Sequence, residues 1–208
     1  HYLCGYGSEK RLDLALEYVK KSVELDSFYG MNIFGYMYNN GEAVKQDYAE
    51  AVKWYRKSAE QGNAIAQCNL GTMYDNGKGV SQDYEEAVRW YKKSAEQGNA
   101  RAQWNLGYMY ANGKGVSQDY AEAVKWYKKS AEQGNAKAQC NLGYMYDVGN
   151  GIKQDYKEAV RWYRKSAEQG DATAQCNLGC CYSSGRGVNC DFAETEKWWL
   201  KAAEQGYG

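Results

Sequence analysis

The stretch Ala64–Asn99, AIAQCNLGTMYDNGKGVSQDYEEAVRWYKKSAEQGN, sets the architecture, because most of the chain is a copy of it. Near-verbatim copies run from Ala100 to Asn135 and from Ala136 to Asp171, and looser ones from Phe28 to Asn63 and from Ala172 to Tyr207. The spacing is constant, with no insertions. Self-similarity at a fixed period of this size marks a solenoid, in which each unit touches only its neighbours and the core is a seam along the stack. The chain therefore reads as a single solenoid over residues 1–208. It has a partial repeat over 1–27 and full repeats over 28–63, 64–99, 100–135, 136–171 and 172–207.

Inside the unit, Asn63 is placed to cap a helix whose apolar positions Ala66, Leu70, Met73 and Tyr74 fall on one face. Gly71, beside Leu70, leaves room for a neighbouring helix, and Gly77 suits the left-handed residue that ends a helix. Gly79 turns the chain again, and Val80 is expected to fill the gap between helices. Asp83 opens a second helix, and Glu86 three residues on predicts a reciprocal capping box. The same Asp-x-x-Glu spacing recurs at Asp47/Glu50, Asp119/Glu122, Asp155/Glu158 and Asp191/Glu194. The buried face of the second helix reads Tyr84, Ala87, Val88, Tyr91 and Ala95, and Gly98 ends it before Asn99 caps the next helix. Each repeat is a helical hairpin.

The ends depart from this unit. Residues 13–27 align with a second helix, while Tyr2, Gly5 and Gly7 fit the end of a first helix and its turn. The chain thus reads as beginning inside a repeat, and at the other end Tyr207 replaces the Asn cap. Apolar residues near both ends (Leu14, Leu16, Trp198, Trp199) lead to an expectation of end-to-end self-association through uncapped termini.

Lys plus Arg and Asp plus Glu both number 26, so no net field favours nucleic acid or an anionic membrane surface. No apolar run approaches the ~20 residues that span a bilayer. Seven cysteines, an odd number without a CxxC pair, favour reduced thiols and a reducing, cytoplasmic compartment. Because the chain opens on His1 rather than Met, export stays open.

Leu70-Gly71-x-x-Tyr74 followed by Ala87 carries the core of the tetratricopeptide signature, with two extra residues per unit that fit the Gly77–Val80 turn. The combination resembles the Sel-1-like repeat family. Its pattern is carried by Leu106-Gly107-x-x-Tyr110, Gly113-x-Gly115-Val116, Asp119, and Ala123-x-x-Trp126-Tyr127-x-Lys129-Ser130-Ala131. Two departures stand out: Ala43 replaces the second turn glycine of the first full copy, and Thr195-Glu196 replaces Ala-Val in the last. Some bacterial members of the family carry a disulfide in every repeat, but here Ala95 and Gln103 stand where such a pair would sit. The resemblance implies an all-α, right-handed superhelical solenoid of antiparallel helix hairpins that holds proteins or peptides together as a scaffold or adaptor.

Chemistry-bearing candidates are few. The one histidine is His1, so no His-based catalysis or metal site can be assembled, and the glycine turns lack P-loop spacing. Cys176 and Cys180 share a helix face, and Cys140 precedes Cys176 by one repeat. Together they make a thinkable thiol or metal site whose spacing fits no zinc pattern, with packing as the bland alternative. Neither a catalytic residue, a metal ligand nor a cofactor is assigned. Basic doublets at Arg56-Lys57, Lys92-Lys93, Lys128-Lys129 and Arg164-Lys165 are followed by Glu60, Glu96, Glu132 and Glu168. The expectation is a neutralised, solvated face rather than a nucleic-acid stripe.

The informative positions are those where the copies disagree. They are Tyr29/Ile65/Arg101/Lys137/Thr173, Asn32/Cys68/Trp104/Cys140/Cys176, Tyr36/Thr72/Tyr108/Tyr144/Cys180 and Asn39/Asp75/Ala111/Asp147/Ser183. Their offsets place them on one stripe of the first helix. By resemblance to tetratricopeptide stacks that helix lines a concave groove. Drift at a merely solvated surface favours Lys, Glu and Ser, whereas this stripe carries Tyr36, Trp104, Tyr108 and Tyr144. The expected binding residues are Tyr36, Asp75, Arg101, Trp104, Tyr108, Lys137, Tyr144 and Asp147. The two cations would take acidic groups of the ligand, and the two carboxylates would repel acid elsewhere along its path. A carbohydrate or peptidoglycan-fragment ligand is the alternative, since Tyr and Trp rows also stack on sugar rings. A thiol or metal-dependent enzyme ranks third.

Overall fold

The structure is a computed structural model that describes residues 9–206, with side chains from residue 11 onward. His1, Cys4 and the Tyr2, Gly5 and Gly7 positions of the partial first copy lie outside the described residues, as does Tyr207. Every regular element among the described residues is a helix. They are α1 (Glu9–Glu24), α2 (Phe28–Asn40), α3 (Tyr48–Glu60), α4 (Ala64–Asn76), α5 (Tyr84–Glu96), α6 (Ala100–Asn112), α7 (Tyr120–Glu132), α8 (Ala136–Val148), α9 (Tyr156–Glu168), α10 (Ala172–Ser184) and α11 (Phe192–Ala203). The chain divides into two compact units, His1–Ala102 and Gln103–Gly208. In the first, α2 pairs with α3 and α4 with α5; in the second, α8 pairs with α9 and α10 with α11.

The first helices start and stop as their sequence dictates. Asn63, Asn135 and Asp171 accept from the backbone N–H three residues on, and Gly77, Gly149 and Gly185 take φ of 65°, 79° and 70° at the far end. Gly71 has a different task. A Cβ there would lie 2.7 Å from the Tyr91 ring and 3.2 Å from the Ala87 carbonyl, so its missing side chain seats α5 against α4. Gly79 does more than turn the chain: a Cβ would overlap the Tyr48 carbonyl at the start of α3, one repeat back. Ala43 holds the same position in the first full copy at φ 60°, a region costly for a residue with a side chain.

The second helices correct the expected capping box. Asp83 does accept from the Glu86 N–H (2.9 Å), but the Asp83 N–H donates to the Tyr74 carbonyl (3.0 Å), not to Glu86. Glu86 instead accepts from the Trp90 indole N–H (2.9 Å) and from Arg89 (3.1 Å). Glu194 repeats this with Trp198 and Lys197. The reason is competition. The carbonyl at the end of the preceding helix already occupies the cap N–H, while a buried indole needs an acceptor. Among the described residues, none of Glu60, Glu96, Glu132 and Glu168 forms an ion pair with the basic doublets. The ion pairs run from first-turn glutamates, as in Glu122–Lys125 (2.8 Å) and Glu158–Arg161 (3.1 Å). Lys57, Lys93 and Lys165 each lie 4.4 Å from the centroid of a tryptophan ring, on Trp54, Trp90 and Trp162.

The core forms between repeats. In the first unit Ala51, Val52, Tyr55 and Ala59 of α3 meet Ala66, Leu70 and Met73 of α4, and Trp90 of α5 closes the cluster with Val80 at its margin. In the second, α7 and α8 meet in the same way under Trp162 of α9. The sequence reading omitted this tryptophan from the buried face, because its neighbours Arg89 and Lys92 are exposed and its own partners lie one repeat back. At the position of Ala59 and Gln67, and again at Ala131 and Gln139, the contact is made by amides. Gln67 donates to the Ala59 carbonyl (3.1 Å) and accepts from Gln97 (2.7 Å); Gln139 does the same with Ala131 (3.1 Å) and Gln169 (2.7 Å). Finally, α1 is already helical at Glu9, ahead of Arg11, which stands where the other second helices have their capping Asp.

Candidate functional site

The expected stripe is carried by the first helices, and each unit presents its own part. In the first unit, Tyr29 (63% exposed) and Tyr36 (42%) stand out from α2, a helix without a charged residue. On α4 the stripe runs Ile65, Cys68, Thr72, Asp75, and here it is uneven. Cys68 is fully buried, beneath Arg101, whose Nε donates to the Cys68 Sγ (3.1 Å) and whose Nη2 donates to Asn69 Oδ1. The Asn69 amide continues to Asn32 Oδ1 (3.1 Å). Asp75 is not turned outward as a bare carboxylate: it accepts from the buried Tyr91 hydroxyl (3.2 Å), which also stands 3.3 Å from Thr72 Oγ1. Desolvation at that buried site pushes the Tyr91 phenol well above its usual range.

In the second unit, Trp104 and Tyr108 sit one turn apart on α6 with ring centroids 6.3 Å apart. The Trp104 indole donates to Asn141 Oδ1 on α8 (2.9 Å), and the Lys137 ammonium lies 5.1 Å from the Trp104 ring centroid. Lys114, from the following turn, lies over Tyr108 at 5.3 Å. Tyr144 of α8 is 48% exposed. Asp147 is engaged with Arg186 in the turn of the next repeat (3.2 Å), its side chain only 12% exposed. The column of Trp104 is buried again at Cys140, where burial first and the neighbouring Asp171 second push the thiol up to about 12. Cys176 and Cys180 face one another on α10, but no group of three or more His, Cys, Asp or Glu among the described residues is arranged to hold a metal, so Cys140 does not join them as a ligand set.

Asparagines form a further row that the sequence reading missed. Asn69 and Asn141 hold Arg101 and Trp104 in place, and the same residue recurs at Asn105 and Asn177. A comparison that looks for disagreement between copies gives little weight to a column that changes once, at Ile33 of the first full copy. The usable signal was a polar residue kept beside buried Leu70 and Leu142. No helix among the described residues is long and apolar enough to cross a membrane.

The family model for the Sel1 repeat matches residues 1–27, 29–63, 64–99, 100–135, 136–171 and 172–207. Among solved structures, the chain is similar to a protective antigen of uropathogenic Escherichia coli strains that displays an SLR fold. The identity is 41% and the TM-score 0.90, over 99% of this chain and 44% of that one. A Sel1 repeat protein from Oxalobacter formigenes is 43% identical with a TM-score of 0.85, over 92% of this chain and 78% of that one. Helicobacter pylori cysteine rich protein B is 27% identical with a TM-score of 0.50, over 64% and 96%. The chain thus spans less than half the length of the E. coli antigen. No curated protein sequence matches it significantly.

Proposed function

Because the chain belongs to the Sel1 repeat family, whose members are in general protein-interaction scaffolds, we propose that it binds a protein or peptide segment along the outward faces of its first helices. The observation that carries this reading is the segregation of charge. α2 and α10 have no charged residue, α4 has Asp75 alone, α6 has Arg101 alone and α8 has Lys137 and Asp147, yet Tyr29, Tyr36, Tyr108 and Tyr144 remain exposed on α2, α6 and α8. Aromatic rings kept in water on a sparsely charged helix face have the composition of binding hot spots, since each can bury a large apolar area and keep a polar tip for a hydrogen bond.

The two cations give the ligand a preferred chemistry. Arg101 is held by the neutral Cys68 and Asn69, and Lys137 by the Trp104 ring, so among the described residues neither has a carboxylate partner. Each retains its charge for an acidic side chain or terminal carboxylate of the partner. Asp75 and Asp147, engaged by Tyr91 and Arg186, act in this proposal as supports of the stripe that also disfavour acid beside them.

The test is a displayed peptide library selected on the folded chain, followed by titration calorimetry of a selected peptide with single variants. Trp104→Ala or Tyr108→Ala should weaken binding by ~2 kcal/mol. Lys93→Ala and Lys129→Ala, on second helices, should leave binding unchanged. Loss at the two lysines with none at Trp104 or Tyr108 would put the partner on the other face. Selection that yields no peptide, beside a glycan array that yields a sugar, would replace the protein ligand by the carbohydrate one.

A further inference from the structure

Four Asn-Gly pairs occur in the chain, at 40–41, 76–77, 112–113 and 150–151. An asparagine followed by glycine is the context in which the next backbone nitrogen most readily reaches the side-chain carbonyl, since glycine has no side chain to obstruct the approach. Two further conditions decide whether a given pair reacts. The glycine N–H must be free to lose its proton, and the asparagine amide must be free to rotate toward it.

Three of the pairs are constrained by a helix end. Asn40, Asn76 and Asn112 are the last residues of α2, α4 and α6. The Asn76 amide donates to the Thr72 carbonyl and the Asn112 amide to the Tyr108 carbonyl, both at 2.8 Å, and Asn40 Oδ1 accepts from Asn39 at 2.8 Å. The Gly41 N–H is held by the Met37 carbonyl (2.9 Å), and that of Gly77 by the last carbonyls of α4.

The fourth pair sits differently. In that copy Val148 takes the helix-end column and the asparagine moves into the turn, between Gly149 at φ 79° and Gly151 at φ 69°. Asn150 is half-exposed, and among the described residues neither its side-chain amide nor the Gly151 N–H has a hydrogen-bond partner.

We propose that Asn150 is a site of spontaneous deamidation built into this turn. The Gly151 nitrogen loses its proton to solvent and attacks Asn150 Cγ. A C–N bond forms, the bond from Cγ to Nδ2 breaks, and ammonia leaves with a proton taken from water. Water then opens the five-membered imide at either carbonyl, giving aspartate or isoaspartate, with nothing oxidised or reduced.

The consequence follows from the neighbouring copies. The same column holds Glu42, Lys78, Lys114 and Arg186, and two of the cations lie over the tyrosine that opens a preceding second helix, Lys78 over Tyr48 at 5.4 Å and Arg186 over Tyr156 at 5.9 Å. Deamidation puts a carboxylate where three of the four sister turns hold a cation. The isoaspartyl product also lengthens the backbone beside Gly151, which is already packed against the Tyr120 carbonyl without room for a Cβ.

The experiment is prolonged incubation of the folded chain near neutral pH, with peptide mapping by mass spectrometry and enzymatic detection of isoaspartate. A denatured sample is run in parallel. In the folded chain Asn150 should be modified at least about tenfold faster than Asn76 or Asn112, a barrier difference of ~1.4 kcal/mol. Denatured, the pairs should react at similar rates. Asn150→Lys, the residue type of two sister turns, should abolish the isoaspartate signal and leave the helical content unchanged. Folded-state rates at Asn76 or Asn112 equal to that at Asn150 would overturn the proposal. So would an intact Asn150 at a time when the denatured control has reacted.

Discussion

The helices of one hairpin, α4 and α5, have the same length and bury comparable faces, yet their outer surfaces have opposite characters. α5 exposes Glu85, Arg89, Lys92, Lys93 and Glu96, whereas α4 carries only Asp75 among charged residues, and that one is bonded to Tyr91. On the second helices charge is used internally: first-turn glutamates hold an indole or a cation, and lysines cover the tryptophan that closes the core. That arrangement is copied almost unchanged along the chain. The first helices hold the Leu70 and Gly71 columns nearly constant and vary most along the stripe. Solubility is thus supplied by one row of helices, which leaves the other free to carry exposed aromatic rings.

Substitutions can break or sharpen this contrast. The largest expected effect is at the joint between repeats. Gly79→Ala should cost ~3 kcal/mol, because the added carbon meets the Tyr48 backbone, which cannot move aside as a flexible side chain can. Gly98→Ala, at the end of a second helix, meets nothing within 4 Å and should cost only ~1 kcal/mol for its φ of 91°. Equal denaturation midpoints for the two variants would mean that repeats do not touch through this turn.

Alkaline pH should act next most strongly, through buried groups on both rows of helices. Burial holds the Cys140 thiol neutral up to about 12, whereas an unfolded thiol ionises near ~8.5. Its contribution to stability is therefore complete below the unfolded value and is lost as pH rises from there toward 12. Buried Tyr91, Tyr127 and Tyr163, whose phenols are likewise raised by desolvation, act in the same direction. Denaturant midpoints should fall through this range, and a Cys140→Ala variant should show a flatter decline. A parallel decline would remove the thiol from the account.

Gly113→Val should follow with a loss of ~1 kcal/mol or more, since a β-branched residue tolerates φ of 64° poorly. The smallest effect belongs to the second-helix surface. Lys129→Ala, which removes an ammonium 4.5 Å from the Trp126 ring centroid, should cost ~0.5 kcal/mol in thermal unfolding. A cost there as large as that of Gly79→Ala would mean that the covered tryptophans, more than the backbone contact, hold the stack together.

Much of the fold was legible before any coordinates. The asparagine and aspartate caps, the glycines at helix ends and the face of Leu70 and Met73 are local patterns, and each is found where its spacing put it. The candidate site was legible only in outline. Column comparison found the exposed Tyr36, Tyr108 and Tyr144, but it also placed Cys68 on an open stripe where the Arg101 side chain covers it. It treated Asp147 as a bare carboxylate, although Arg186 of the next turn reaches it. It read Glu86 as a cap because the spacing to Asp83 fits, whereas the nearby Trp90 indole is the stronger claimant.

The sequence by itself determined the repeat, the helices and their ends, because these depend on residues three or four apart in a backbone with few allowed conformations. Only the tertiary structure decided which polar side chains are engaged and which remain available. Arg101 meets Cys68, Trp104 meets Asn141, and Asp147 meets Arg186, all between residues more than thirty apart. Such pairs exist only once one hairpin has docked on the next. The docking depends in turn on backbone contacts such as Gly79 against Tyr48, which no local spacing reveals.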